Sequence, residues 1–414
     1  MLRWLAPVVL AAGIAGAGIG YVLTLRPAFP LVARPDPATL DPAEVAKGAV
    51  LAAVGDCIVC HTAEGGAPYA GGRPLATPFG TLYATNITPD EETGIGAWSV
   101  EAFRRAMRDG VARDGTHLYP AFPYVHFTRV TDADLDAIRA FLMSRTAVSA
   151  VAPANDLVPP LGFRPLLAGW KLLFHHRAGF EPDPARSVDW NRGAYLVEGL
   201  GHCGGCHTPL NLLGGEGSPY AGGSAEGWDA PALDGSTPGP RWTVEALETY
   251  LVTGMHPDHS AAAGPMGPVV AELSDVPRAD VRAMAVYVAS LMVDTPPAAA
   301  PIATEALDLH GAAVFTAACA GCHDDRAPMA RHGRPLLDTA AAIAAKEPTN
   351  AIRAILDGIA PPEGRPGPAM PPFADALGDA DIVAVAAYVR ARFGQRAAWP
   401  DLAAAVASAR KDSQ

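Results

Sequence analysis

Apolar residues recur at helical spacing in three late segments: "DADLDAIRAFLMS" from Asp132, "RADVRAMAVYVAS" from Arg278 and "DADIVAVAAYVRA" from Asp379. In the first, Leu135, Ile138, Phe141 and Leu142 fall on one helix face. Each segment carries an aromatic at the same place, Phe141, Tyr287 and Tyr388. A shorter helical pattern precedes each one. Trp98-Ser99-Val100-Glu101-Ala102 opens a helix ending at Gly110, and Trp242-Thr243-Val244-Glu245-Ala246 opens one ending at Gly254. A weaker version runs from Asn350 to Gly358. Ser99 and Thr243 suit N-caps, because their hydroxyls can accept from the first free amides. The closing glycines suit C-caps, where a left-handed backbone is needed. A pattern repeated at this length marks one structural unit used three times. Proline-rich stretches at 152–167, 294–301 and 360–372 read as linkers and loops.

A different pattern opens the chain. Trp4 to Leu25 is an uncharged run between Arg3 and Arg26. At helical rise it would span roughly 33 Å, enough to cross a bilayer. Residues 1–30 are therefore expected to be a membrane anchor, preferred over a cleaved signal peptide with Ala15-Gly16-Ala17 as its cleavage site. With Arg3 held inside, residues 27–414 would face the other compartment.

At 414 residues the chain exceeds one compact core and implies several domains. With 42 Gly, 40 Pro and only 18% charged residues, the composition fits small helical units joined by ordered loops rather than disorder. The net charge of -12 argues against nucleic acid, which selects basic faces.

All six cysteines fall in one form: Cys57-Ile58-Val59-Cys60-His61, Cys203-Gly204-Gly205-Cys206-His207 and Cys319-Ala320-Gly321-Cys322-His323. Three disulfides would be the default for an exported chain. A redox dithiol does not explain a histidine after every second cysteine. A zinc site needs two pairs close together, and these lie more than a hundred residues apart. C-x-x-C-H is the attachment signature of c-type haem. Two thiols on one helical turn reach the two vinyl groups along one haem edge, and the following imidazole ligates the iron. The expected cofactors are three covalently bound haem c groups, on Cys57 and Cys60, Cys203 and Cys206, and Cys319 and Cys322, with His61, His207 and His323 as iron ligands.

Longer phrases now carry a resemblance: "TNITPDEETGIGAWS" from Thr85, "WNRGAYLVEGLGHCGGCHTPLNLLG" from Trp190, "GPMGPVV" from Gly264 and "GPAMPPF" from Gly367. The chain resembles the three-haem cytochrome c subunits of membrane-bound bacterial alcohol, gluconate and aldehyde dehydrogenases. The resemblance implies an all-α fold of three tandem cytochrome c domains after an N-terminal transmembrane anchor. The domains would span 38–150, 187–295 and 303–395, with a linker at 151–186 and a C-terminal tail at 396–414. It implies a bacterial inner-membrane protein with its haem domains in the periplasm. Electrons would come from the catalytic subunit of a partner dehydrogenase and go to quinone or a terminal oxidase. For that partner a molybdenum hydroxylase, oxidising aldehydes or N-heterocycles, is favoured over a quinoprotein or flavoprotein. The sequence itself carries no dinucleotide fingerprint and no Gly-x-Ser-x-Gly, so no catalytic residue is assigned. A peroxidase-like haem enzyme and a freestanding membrane-tethered carrier are the alternative readings.

An electron-transfer haem generally has a second axial ligand, and methionine raises its potential. Met266 in "GPMGP" and Met370 in "PAMPP" sit in loops between the two helices of their repeats and are the candidates. The first repeat has Phe122 at that place, which cannot coordinate iron. His126, four residues on, is the preferred substitute, ahead of other side chains (His117 among them) and of an open iron. Met107 and Met284 read as core, and Met143 as a solvent or interface position, because the third copy has Arg390 there. The remaining histidines, His256 and His259 included, are expected at the surface or in linkers.

Overall fold

The computed structural model describes residues 22, 24–237, 240–292, 307–324, 327, 336–361 and 369–412. Its organising element is a crossed helix pair that occurs three times. Helix α1 (Pro42–Val54) leads to the short α2 (Cys57–Cys60). After hairpin β1 (Pro74–Thr77) and β2 (Gly80–Tyr83) come α3 (Val100–Asp109), α4 (Tyr124–Phe127) and α5 (Asp132–Met143). Next are β3 (Asp156–Leu157), α6 (Leu166–Phe174), α7 (Val188–Glu198) and α8 (Gly204–His207). Then follow β4 (Gly223–Ala225), β5 (Trp228–Ala230), α9 (Val244–Thr253), α10 (Met266–Leu273) and α11 (Arg278–Leu291). The last part holds α12 (Leu309–Val314), a π-helical turn at Phe315–Cys319, and α13 (Ala320–His323). It continues with α14 (Ala341–Ala344), α15 (Thr349–Asp357), α16 (Asp379–Arg392) and α17 (Leu402–Asp412).

The crossings are α1 on α5, α7 on α11 and α12 on α16, and each is made at a glycine. A Cβ on Gly48 would overlap the Ala137 carbonyl oxygen and crowd Phe141 Cβ. On Gly193 it would meet the Ala283 carbonyl and Tyr287 Cβ, and on Gly311 the Ala384 carbonyl and Tyr388 Cβ. The recurring aromatics thus close on a bare backbone, which lets the helix axes approach more tightly than any side chain allows. The capping expectations hold. Ser99 Oγ accepts from the Ala102 amide and Thr243 Oγ1 from the Ala246 amide, while Gly110 and Gly254 take left-handed conformations.

The expected fold is corrected on three points. First, the chain is not all-α. β1, β2 and β3 form an antiparallel three-stranded sheet, and β4 pairs with β5 across Glu226 and Gly227, both at positive φ. Strands of two to four residues are too short to show alternation, and their Pro and Gly read as loop. Second, the chain divides into two compact units rather than three tandem domains: 1–181 with 198–202, and 182–197 with 203–414. Polar bonds from α15 to the β4–β5 hairpin join the later two helix pairs. Asn350 and Asp229 exchange two bonds of 2.9 and 2.8 Å, and the buried Arg353 donates to the Glu226 carbonyl. Third, no helix among the described residues is long and apolar enough to cross a membrane. Of the expected anchor at residues 1–30, all but residues 22 and 24–30 lie outside the described residues.

The second unit also contains α17, whose Leu402 and Val406 join Trp399, Ile352, Leu356 and Ile382 in one core. Arg390 belongs to this interior too. It is 9% exposed, donates to the Ile343, Ala345 and Ala397 carbonyls, and stacks over Trp399. An arginine at this position therefore does not mark a solvent face, and the equivalent Met143 is 0% exposed. Met107 and Met284 are core as expected.

Candidate haem-binding sites

The first two attachment motifs are built alike. α2 and α8 place the cysteines on a single turn ending at His61 and His207. The His61 amide donates to Cys57 O, and the His207 amide donates to Cys203 O. In each, the chain then turns through a threonine whose hydroxyl accepts from a tyrosine amide 3.1 Å away: Thr62 with Tyr69, Thr208 with Tyr220. Both tyrosines have positive φ. The amides of Gly71 and Gly222 return to the His61 and His207 carbonyls.

This scaffold fixes the histidine rings. His61 Nδ1 lies 2.6 Å from the Thr85 carbonyl oxygen, and His207 Nδ1 lies 2.7 Å from that of Pro231, each acceptor 24 residues downstream. A carbonyl can only accept, so Nδ1 carries the proton and Nε2 keeps its lone pair. Burial pushes both imidazoles below the ordinary histidine value, with the carbonyl bonds opposing, so the neutral ring is favoured. A neutral ring oriented through its second nitrogen is the form a metal-ligating histidine takes. None of the six cysteines is in a disulfide. This donor set fits covalent haem c. In the third motif, the π-helical turn delivers Cys319 to α13, and burial raises the Cys319 thiol. Asp324, next to His323, pairs with Arg392 at 3.7 Å.

The residues expected as second axial ligands lie in the loops after α3, α9 and α15. Each of those helices ends at a positive-φ glycine, followed by a single antiparallel bridge: Val111 to His117, Met255 to Ala261, Ile359 to Met370. Phe122 and Met266 both lie five residues past their bridge, whereas Met370 is itself the bridge residue. The Met370 amide and carbonyl each bond Ile359 at 2.9 Å. Met266 opens α10, beside Gly264, whose left-handed backbone packs on the Trp228 indole. Both methionines are half-buried.

In the first unit Phe122 packs edge-on against Phe127, with centroids 5.4 Å apart. His126 is buried on α4, its Nδ1 3.3 Å from the Glu198 carbonyl oxygen. His117 is buried with both ring nitrogens engaged. Nε2 is 2.9 Å from the Thr24 carbonyl and Nδ1 is 3.1 Å from Lys171 Nζ. Lys171 also donates to the Asp109 and Gly110 carbonyls, placing a cation at the C-terminus of α3. Burial pushes the Lys171 ammonium down to about 7, partly opposed by Asp109. The Tyr124 hydroxyl beside it is fully buried without a hydrogen-bond partner, and burial raises its pKa. His259, expected at the surface, is buried and stacks on Trp242 at 3.6 Å. Sequence reasoning missed Thr85, Pro231 and Lys171, because the first two act through backbone carbonyls and the third sits in an apparent linker.

The family described as "Cytochrome c" matches residues 45–146, and that described as "Cytochrome C oxidase, cbb3-type, subunit III" matches 306–389. Over longer stretches, the chain is 37% identical to the gluconate 2-dehydrogenase cytochrome c subunit of Pantoea cypripedii, covering 89% of this chain and 90% of the relative. The chain belongs to the cytochrome c subunits of dehydrogenases. It is an electron-transfer subunit rather than a catalytic one. The cytochrome c subunit of alcohol dehydrogenase (quinone) from Gluconacetobacter polyoxogenes is 35% identical, with 86% of this chain and 82% of the relative covered. A nicotinate dehydrogenase subunit from Pseudomonas putida is 47% identical over 96% of this chain. The chain spans only 35% of that relative's length.

Proposed function

We propose that this chain carries three covalent haem c groups and passes electrons from a partner dehydrogenase to quinone or a terminal oxidase, in the periplasm. The observation that carries the reading is the pair of histidines held through Nδ1 by carbonyls equally far along the chain. It leaves Nε2 to ligate iron beside the two cysteines of each motif, which form no disulfide. Bound haem c supplies one-electron chemistry, with a potential tuned by the second axial ligand. His61, His207 and His323 are the proximal ligands, with Met266 and Met370 opposite the last two. His126, buried in the loop that holds Phe122, is the sixth ligand of the first. The 47% identity to a nicotinate dehydrogenase subunit favours a partner that oxidises an N-heterocycle, of the molybdenum hydroxylase type.

The test is the mass and haem stain of the full chain from its host, together with the metal content of what co-purifies. Three haems and a molybdenum-containing partner are expected. Two haems would remove one motif from the proposal, and a partner holding only flavin would overturn its type.

A further inference from the structure

Helix α6 is built inside out for a helix in water. At 3.6 residues per turn, Leu167, Trp170, Lys171, Phe174 and His175 share one side, and Leu166, Gly169, Leu172 and Leu173 share the other. The first side packs on the protein. Trp170 and His175 meet the Tyr124 ring edge-on at 6.3 and 5.2 Å, and Lys171 Nζ reaches the Asp109 and Gly110 carbonyls at 2.7 and 2.6 Å. The second side is bare: Leu166 is 48% exposed, Leu172 85% and Leu173 62%. A helix facing water buries its leucines and exposes its lysine, and α6 does the reverse. The bare leucines point away from Tyr124, and so from the loop that carries Phe122 and His126. Their exposure is therefore independent of haem at the first site.

Two observations bear on what covers this face. Residues 157–180 contain no Asp or Glu, although the chain holds 43, and they include Arg164, Trp170, Lys171 and Arg177. The Asp109 carboxylate of α3 is already paired, 3.4 Å from Arg177 Nε. The uncharged run from Trp4 to Leu25 also ends here. Thr24 O is 2.9 Å from His117 Nε2, whose Nδ1 is 3.1 Å from Lys171 Nζ, and Arg105 donates to Pro27 O at 2.6 Å. Val22, Leu25 and Arg26 are exposed beside it. We propose that α6 lies in the plane of a bilayer, with Leu166, Leu172 and Leu173 in the acyl boundary and Arg26 and Arg177 among anionic headgroups. Apolar side chains flanked by Trp and cationic residues, with carboxylates excluded, are what the lipid interface selects. A protein socket for these leucines asks for neither the missing carboxylates nor a second apolar segment beside them.

The experiment reads depth in the haem-loaded full chain, reconstituted in phosphatidylglycerol vesicles. A nitroxide is attached at Leu172→Cys and, in a second sample, at Glu101→Cys on the exposed far end of α3, with labelling of the unsubstituted chain subtracted. Labels facing lipid collide with dissolved oxygen and escape a water-soluble nickel chelate, whereas labels under protein escape both. The ratio of oxygen to chelate collisions at 172 should exceed that at 101 about tenfold, as for a side chain sunk in the acyl boundary, with haem content unchanged. Leu173→Cys should give the same ratio, which keeps the test open if one variant folds poorly. Equal access of the chelate to 172 and 101 overturns the proposal, because α6 then faces water. Few collisions with either reagent at 172 also overturn it, and assign the face to residues 1–21 or to a second copy of the chain. The same pattern arising only when the dehydrogenase subunit is added overturns it in favour of that partner.

Discussion

The first and second attachment motifs are built almost bond for bond alike, yet the loops proposed to carry their second iron ligands have little in common. His61 and His207 are oriented by carbonyls 24 residues ahead, behind matching threonine–tyrosine turns. In the loop after the bridge, Met266 stands at a short helix start in one copy. In the other, Phe122 packs against Phe127 and Tyr124. Attachment chemistry is fixed by covalent geometry and admits one solution. The distal ligand sets the potential, so it is where copies of one unit can diverge usefully.

The largest effect should come from breaking what the copies share. Gly48→Ala and Gly193→Ala each force a methyl group into a facing backbone carbonyl, and each should cost about 3 kcal/mol, the upper end for overpacking. Urea unfolding of the haem-loaded chain would show it as a lowered midpoint. A loss in one copy only would mean that the crossings are not equivalent.

The next effect sharpens the difference. His126→Ala should open the first haem site alone, giving rapid carbon monoxide binding to one third of the haem. The Met266 and Met370 sites should remain closed. Carbon monoxide binding already present in wild type, unaltered by the substitution, would remove His126 from the ligand set.

The smallest effect concerns the cluster peculiar to the first unit. Burial depresses Lys171 to about 7, well below its ordinary value of 10.5. Between those values the unfolded chain holds more protons than the folded one, so stability rises with pH across that window. Lys171→Met should flatten the rise in Tm between pH 7 and 10. An unchanged slope would place the titration elsewhere.

Much of this was legible in the residues. Every cysteine lies in an attachment motif, and Ser99, Thr243, Gly110 and Gly254 announced the ends of their helices. The aromatics Phe141, Tyr287 and Tyr388 were visible too, but not the glycines they close on, since a glycine at a helix crossing looks like any other helix glycine. The hairpins were hidden by their brevity. The pairing of Asn350 with Asp229 joins positions 121 residues apart and leaves no local pattern. His117 looked like a loop histidine because its partners, Thr24 and Lys171, come from distant segments. Chemistry fixed by spacing was readable, and chemistry fixed by tertiary approach was not.

Whether the first haem site lacks the thioether ligand proposed for the others is tested most directly by near-infrared magnetic circular dichroism of the fully oxidised chain. Thioether–iron intensity is expected for two of three haems, halved by Met266→Leu and removed by adding Met370→Leu. Thioether intensity for all three haems, or intensity surviving the double substitution, would contradict the assignment.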